Sequence, residues 1–142
     1  MLDAIDGDSG NTYGPAVIAA YSADANGNLS TTSTYKNMPV SEPGNGFMRM
    51  SPSGKLLAVG GSGLELFHFN GANPITKYKM LLPGDSISQI FWDNNNHMYA
   101  LGSDAKGGKL WVYTVTPTSV TEAPGSPYSI SNAGSMAVHT LN

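Results

Sequence analysis

One stretch occurs twice, and it constrains the fold more than anything else in the chain. Residues 48–61, MRMSPSGKLLAVGG, read as a strand, a tight turn and a second strand, and the pattern returns in residues 90–103, IFWDNNNHMYALGS. Ser51 answers to Asp93, Gly54 to Asn96, Ala58 to Ala100 and Gly60 to Gly102, at a constant offset of 42. Self-similarity at about 40–45 residues is the signature of a repeated four-stranded unit, a propeller blade.

Two further features keep nearly the same period. Pro43, Pro83 and Pro124 stand in loop breaks at spacings of 40 and 41. Ile18, Leu64 and Leu110 are 46 apart, as are Tyr21, Phe67 and Tyr113. Between these markers the chain reads as short strands. Residues 2–5 are a short, partly apolar strand, and residues 16–23 are a buried one. Asn26-Gly27 then supplies a hairpin turn, because both central positions tolerate positive φ. Residues 29–36, rich in Ser and Thr, come next as a polar outer strand that water can cover on one side. The next unit reads 47–51, 55–60, 64–69 and 75–81, with Ser51-Pro52-Ser53-Gly54 and Gly60-Gly61-Ser62-Gly63 as turns. The one after reads 87–92, 97–101, 109–115 and 120–123, and residues 135–140 form a last strand.

The expected fold is therefore all-β: about 12 antiparallel strands in one partial propeller domain over residues 1–142, with blades at about 1–42, 46–82 and 86–124. The last strand, 135–140, supplies what the first blade lacks, as the ends of closed propellers do.

Composition agrees. Charged residues make up 12% of the chain, and 17 Gly and 9 Pro suit short strands joined by tight turns. Net charge is −3 with seven scattered Lys and Arg, which disfavours nucleic acid, whose counterions only a cationic surface displaces, and anionic membranes alike. There are no cysteines, hence no disulfide, thiolate metal site or Cys nucleophile. No basic or apolar leader opens the sequence, and no 18-residue apolar run exists. This Ser/Thr/Asn-rich, low-charge composition is common in exported bacterial proteins, so the chain is compatible with the mature part of one.

The turn in residues 50–59, MSPSGKLLAV, the stretch Asp24-Ala25-Asn26-Gly27-Asn28-Leu29 and Pro124-Gly125-Ser126-Pro127-Tyr128 resemble the blades of the seven-bladed lactonase-like β-propellers, the group of the phosphogluconolactonases and carboxymuconate cyclases. The resemblance covers roughly residues 16–139 and implies a propeller; it is specific for the blade and says little of activity. The WD-type repeat is not resembled, since Trp92-Asp93 ends an inner strand and the Gly-His element is missing. Three blades are fewer than a ring of about four to eight. The implied partners are either the rest of a larger propeller or further copies, two giving six blades and three giving nine.

Propeller ligands sit over the central channel, which by this analogy points to Arg49, Asp85, Gln89, Trp92, His139 and the loop residue Asn45. Arg49, the sole arginine, can hold a carboxylate or phosphate through paired hydrogen bonds, or simply pair with Asp85 or Glu42. His68, His97 and His139 lack metal-ligand spacing and read as ordinary strand residues. Asp3, Asp6, Asp8 and Asn11 gather oxygens but miss the calcium-loop pattern. No G-x-S-x-G elbow occurs, and residues 60–63 lack the helix and lysine of a phosphate loop. No cofactor is implied.

Three functions stay open: a noncatalytic repeat module for binding or self-assembly, which is preferred; a lactonase- or cyclase-like enzyme, which needs Arg49, His139 and an acid to converge; and a carbohydrate-binding module with Trp92 or Tyr128 as its platform.

Overall fold

The computed structural model describes residues 2–5, 13–44, 46–69, 71, 75–131 and 134–139, with side chains from Pro15 onward. Eleven antiparallel strands run through these residues, with no helix among them, and so none long and apolar enough to cross a membrane. The first four are short: β1 (Leu2–Ile5) pairs with β2 (Tyr13–Val17), and β3 (Ser22–Ala23) with β4 (Leu29–Ser30).

The other seven form one sheet. β5 (Phe47–Met50) pairs with the start of β6 (Leu56–His68), Met48 opposite Val59 and Met50 opposite Leu57. Thirteen extended residues reach about 40 Å. Yet the Phe69 N–H donates to the Lys55 carbonyl at 2.8 Å, joining the two residues that flank β6. The strand therefore folds back on itself at Gly60-Gly61-Ser62-Gly63, where Gly63 takes a φ of 141° closed to other residues. Its second arm pairs with the first part of β7 (Thr76–Trp92), Phe67 opposite Lys77. The second part of β7 pairs with β8 (His97–Asp104), Trp92 opposite Met98 and Ile90 opposite Ala100. β8 pairs with β9 (Gly107–Val115), and β9 with β10 (Val120–Glu122) and β11 (Tyr128–Ser129) along one edge. Two four-stranded meanders result, joined through β7, whose first part is the last strand of one and whose second part is the first strand of the next.

The core explains how they sit together. One cluster holds Ile18, Ala20, Leu57, Val59, Phe67 and Ile75, with Met48 and Phe69 against it. The other holds Leu56, Ala58, Leu64 and Leu66 with Ile90, Met98, Ala100, Trp111, Tyr113 and Val115. Alternation along β6 sends Leu57, Val59 and Phe67 to one face and Leu56, Ala58, Leu64 and Leu66 to the other. The middle meander is thus buried on both faces, by the N-terminal segment on one and the C-terminal meander on the other. Each large side chain sealed there contributes about 1.5–3 kcal/mol.

The faces also fix the equivalence of the two meanders. Met48, Leu57, Val59, Phe67, Phe69 and Ile75 face the N-terminal segment that precedes them. Ile90, Met98, Ala100, Tyr113, Val115 and Val120 face the middle meander in the same way. The expected constant offset of 42 therefore holds for the first strand, Met48 to Ile90, and fails in the second, where Val59 answers to Ala100 at 41. The turn between those strands is one residue shorter in the later copy. Ala58 and Ala100 consequently lie on opposite faces of their meanders and meet in one cluster.

Three other expectations are corrected. Residues 16–23 do not form one strand: β2 ends at Val17, and Tyr21 is 45% exposed. The outer strand expected over 29–36 stops at Ser30. There the Thr31 hydroxyl donates to the Ala20 carbonyl and the Ser33 hydroxyl accepts from the Ala20 N–H at 2.9 Å, so side chains take the bonds a backbone ladder would use. The Val17–Val40 bridge, flanked by the Ile18 N–H on the Pro39 carbonyl and the Ser41 N–H on the Ala16 carbonyl, pairs the N-terminal segment with 39–41 instead. Finally, residues 135–139, expected within the last strand, form no strand. They lie beside β7, held by Gln89.

Candidate functional site

The residues proposed from sequence divide into two groups. Arg49 on β5 and Trp92 at the end of β7 are brought together: the Trp92 indole Nε1 donates to the Arg49 carbonyl at 3.3 Å. The inner strands of the two meanders are therefore neighbours. The Arg49 guanidinium is exposed and donates from Nη1 to the Met48 carbonyl at 3.0 Å; among the described residues it pairs with neither Asp85 nor Glu42. Glu42 is taken by Lys77, whose Nζ lies 2.7 Å from its Oε1 and 3.4 Å from Oε1 of Glu65.

Gln89, on the inner strand of the C-terminal meander, uses its amide as a backbone surrogate. Nε2 donates to the Gly134 carbonyl at 3.1 Å, and Oε1 accepts from the Met136 N–H at 2.9 Å. It is a clamp on segment 134–139 and has no spare donor pair for a ligand at that point. Asp85 is half-buried in β7. The Tyr113 phenol is pushed well above its ordinary value, first by burial and then by the charges of Glu122 and Asp85. His139 is exposed and shares no hydrogen bond or ion pair with Arg49 among the described residues. Asn45 and the residues Asp6, Asp8 and Asn11 lie outside the described residues, as does the Asp3 side chain. His68 stacks on Tyr78 with ring centroids 4.4 Å apart.

Two polar clusters were not legible as sites. Asp93, buried at the end of β7, accepts four bonds: Oδ1 from the N–H of Asn95 (2.8 Å) and His97 (2.9 Å), Oδ2 from His97 Nδ1 (2.7 Å) and the Tyr99 hydroxyl (3.2 Å). Burial alone would raise its pKa; the bonds from His97 and Asn95 outweigh that and hold the carboxyl below its ordinary range. Tyr99 is shifted upward by burial and by Asp93's charge. An Asp–His pair at this distance can orient an imidazole for proton transfer. The same contacts also serve the turn. Asp24 binds the N–H groups of Asn26 and Asn28 in the same i+2, i+4 pattern. Ser51, which opens the same turn one meander earlier, binds the Leu56 N–H with a neutral hydroxyl. Asp93 is a turn cap, and Asp at this position is its signal.

The other cluster centres on Glu65, 3% exposed. Its Oε2 accepts from the Glu42 N–H at 3.0 Å, and Lys77 reaches its other oxygen. Burial lowers the Lys77 pKa, but the hydrogen bond to Glu42 and the charges of both glutamates outweigh it, and the net shift is upward. Sequence alternation places Glu65 opposite Leu64 and Leu66, as the structure does; that the opposite face is also buried was not visible. The cluster ties loop 41–44 to β6, together with the Ser62 N–H on the Pro43 carbonyl.

An open groove of about 420 Å³ is lined by Lys106, Lys109, Ser129 and Ser131 with Gly107, Gly108 and Ile130. Lys109 Nζ is engaged by the Ser129 hydroxyl at 3.0 Å. Among the described residues no group of three or more acidic or histidine side chains is placed to hold a metal. Compared with known proteins, the chain matches no family model, no curated relative and no solved structure.

Proposed function

We propose that the chain is a noncatalytic β-propeller repeat module that serves as a scaffold for binding or self-association. One observation carries this reading: successive units pack by the same face. Phe67 covers the residues before it, and Tyr113, its repeat equivalent at an offset of 46, covers the meander that contains Phe67's strand. Units related by such a rotation, with inner strands adjacent as Arg49 and Trp92 are, build an arc around an axis. The side chains nearest that axis serve structure: Trp92 and Gln89 are spent on backbone groups of neighbouring segments. The turn MSPSGKLLAV, which resembles lactonase-like blades, fits the same architecture.

Small-angle X-ray scattering tests it. A compact single globule of this length has a radius of gyration of about 14 Å. The scaffold reading expects a clearly larger value, with the central depletion of a ring or arc of several units. A value near 14 Å and a filled, globular profile would overturn it.

A further inference from the structure

The open groove of about 420 Å³ lies between the tip of the β8–β9 hairpin and residues 129–131. Its walls follow from the sequence. β11 pairs with β9, Tyr128 opposite Leu110 and Ser129 opposite Lys109, and the Ile130 N–H extends the ladder by donating to the Gly108 carbonyl at 3.0 Å. A Cβ at residue 108 would strike the Ile130 carbonyl oxygen, so glycine is what lets this segment close on the hairpin. On its other side Lys109 stands opposite Gly102, where no side chain competes for the space. At Gly107 a Cβ would meet nothing within 4 Å, so the floor of the groove there is bare backbone.

The chain has seven Lys and Arg and a net charge of −3, yet two of those lysines line this one groove, and no acidic side chain does. Lys77 is neutralised by Glu42 and Glu65; Lys106 and Lys109 have no carboxylate within ion-pair distance among the described residues. Asp104, two residues before Lys106, spends Oδ1 on the Lys106 N–H at 2.7 Å. Lys109 Nζ donates to the Ser129 hydroxyl oxygen at 3.0 Å, which fixes the ammonium and leaves two of its three donors. A hydroxyl that accepts from a cation keeps its own proton to give, so Ser129 presents an O–H beside that charge. Ser131 supplies a second hydroxyl and Ile130 an apolar wall. We propose that this groove binds a phosphate group. Two ammoniums match its charge of about −1.5 to −2 at neutral pH, and the ammonium and hydroxyl donors match oxygens that accept. The group comes as inorganic phosphate or on a monoester, whose organic part lies against Ile130. None of the residues singled out for a central channel lines the groove, and the proposal does not rest on self-association.

The test is an NMR titration of the isotope-labelled chain with inorganic phosphate and with phenyl phosphate, at an ionic strength held constant with chloride so that screening stays fixed. The expected result is saturable shifts in the amides of residues 106–109 and 129–131. Tighter binding of phenyl phosphate names a monoester as the ligand; equal affinity names free phosphate. Lys106→Gln and Lys109→Gln should each weaken binding about tenfold, and Lys55→Gln, on the turn before β6, should leave it unchanged. Should Lys109→Gln disturb amides throughout the chain, Ser129→Ala reads the same contact. Shifts that grow without saturating, or that appear equally around Lys36, Lys55 and Lys79, would overturn the proposal. So would benzoate, with its single charge, binding as tightly as phenyl phosphate.

Discussion

At the scale of single residues, the polar side chains of this protein mostly do the work of backbone groups. Asp93 accepts four bonds at a turn, and Gln89 pairs with the passing segment 134–136 as a backbone group would. Asp93→Ala leaves two partly buried N–H donors and two side chains without their acceptor; we expect a loss of about 1–3 kcal/mol in urea unfolding, and a smaller one for Asp93→Asn, which keeps one oxygen. The pH dependence has a definite sign. A carboxyl held below its unfolded value of about 3.9 adds stability that is complete above that pH and is lost as pH falls through the lower folded value. Wild type should show this acid limb below about pH 4, and Asp93→Asn should flatten it. A limb unchanged in the variant would assign it to other carboxyls. Such roles were poorly legible in sequence, because they depend on which N–H groups a fold leaves unpaired. Arg49, conspicuous in sequence as the sole arginine, bonds its own neighbour's carbonyl. Glu65, inconspicuous there, is a buried acid like Asp93.

At the scale of the element, periodicity was the informative signal and its phase the weak one. The Leu64-to-Phe69 alternation and the 46-residue step from Leu64 and Phe67 to Leu110 and Tyr113 fell on strands, since side chains in a strand alternate; the earlier step, from Ile18 and Tyr21, did not, because those residues lie outside any strand. The one-residue shortening of the 93–97 turn could not be read, and with a period of two it exchanges the faces of the next strand. In the N-terminal segment the same motif lost its strand partner to Thr31 and Ser33, whose hydroxyls bond Ala20. Repeat equivalence with unequal burial gives a direct comparison. Phe67→Ala, emptying a fully buried site, should cost about 3–5 kcal/mol. Tyr21→Ala, at the equivalent but exposed position, should fall within about 0.5 kcal/mol in dilute solution. Chemical denaturation of both at low concentration checks this, and equal losses would mean that the positions are not equivalent. Gln89→Ala should release segment 134–139 and make it the first site cut in limited proteolysis, while the seven-stranded sheet stays protected. Gly102→Ala should destabilise more than an ordinary strand Gly→Ala change, because a Cβ there meets the Ser86 carbonyl oxygen.

At the scale of the whole molecule, the middle meander is packed on both faces, by the N-terminal segment on one and the C-terminal meander on the other. All-β character and antiparallel pairing were legible from composition and turn spacing alone. How the ends are finished was not, since a repeat states what a unit needs and not where it finds it. The most direct measurement is the solution mass of the chain by light scattering after size exclusion, taken through a dilution series. A self-associating scaffold gives a mass at an integral multiple of 14.9 kDa that falls toward 14.9 kDa on dilution. A folded chain that stays at 14.9 kDa at every concentration would contradict it.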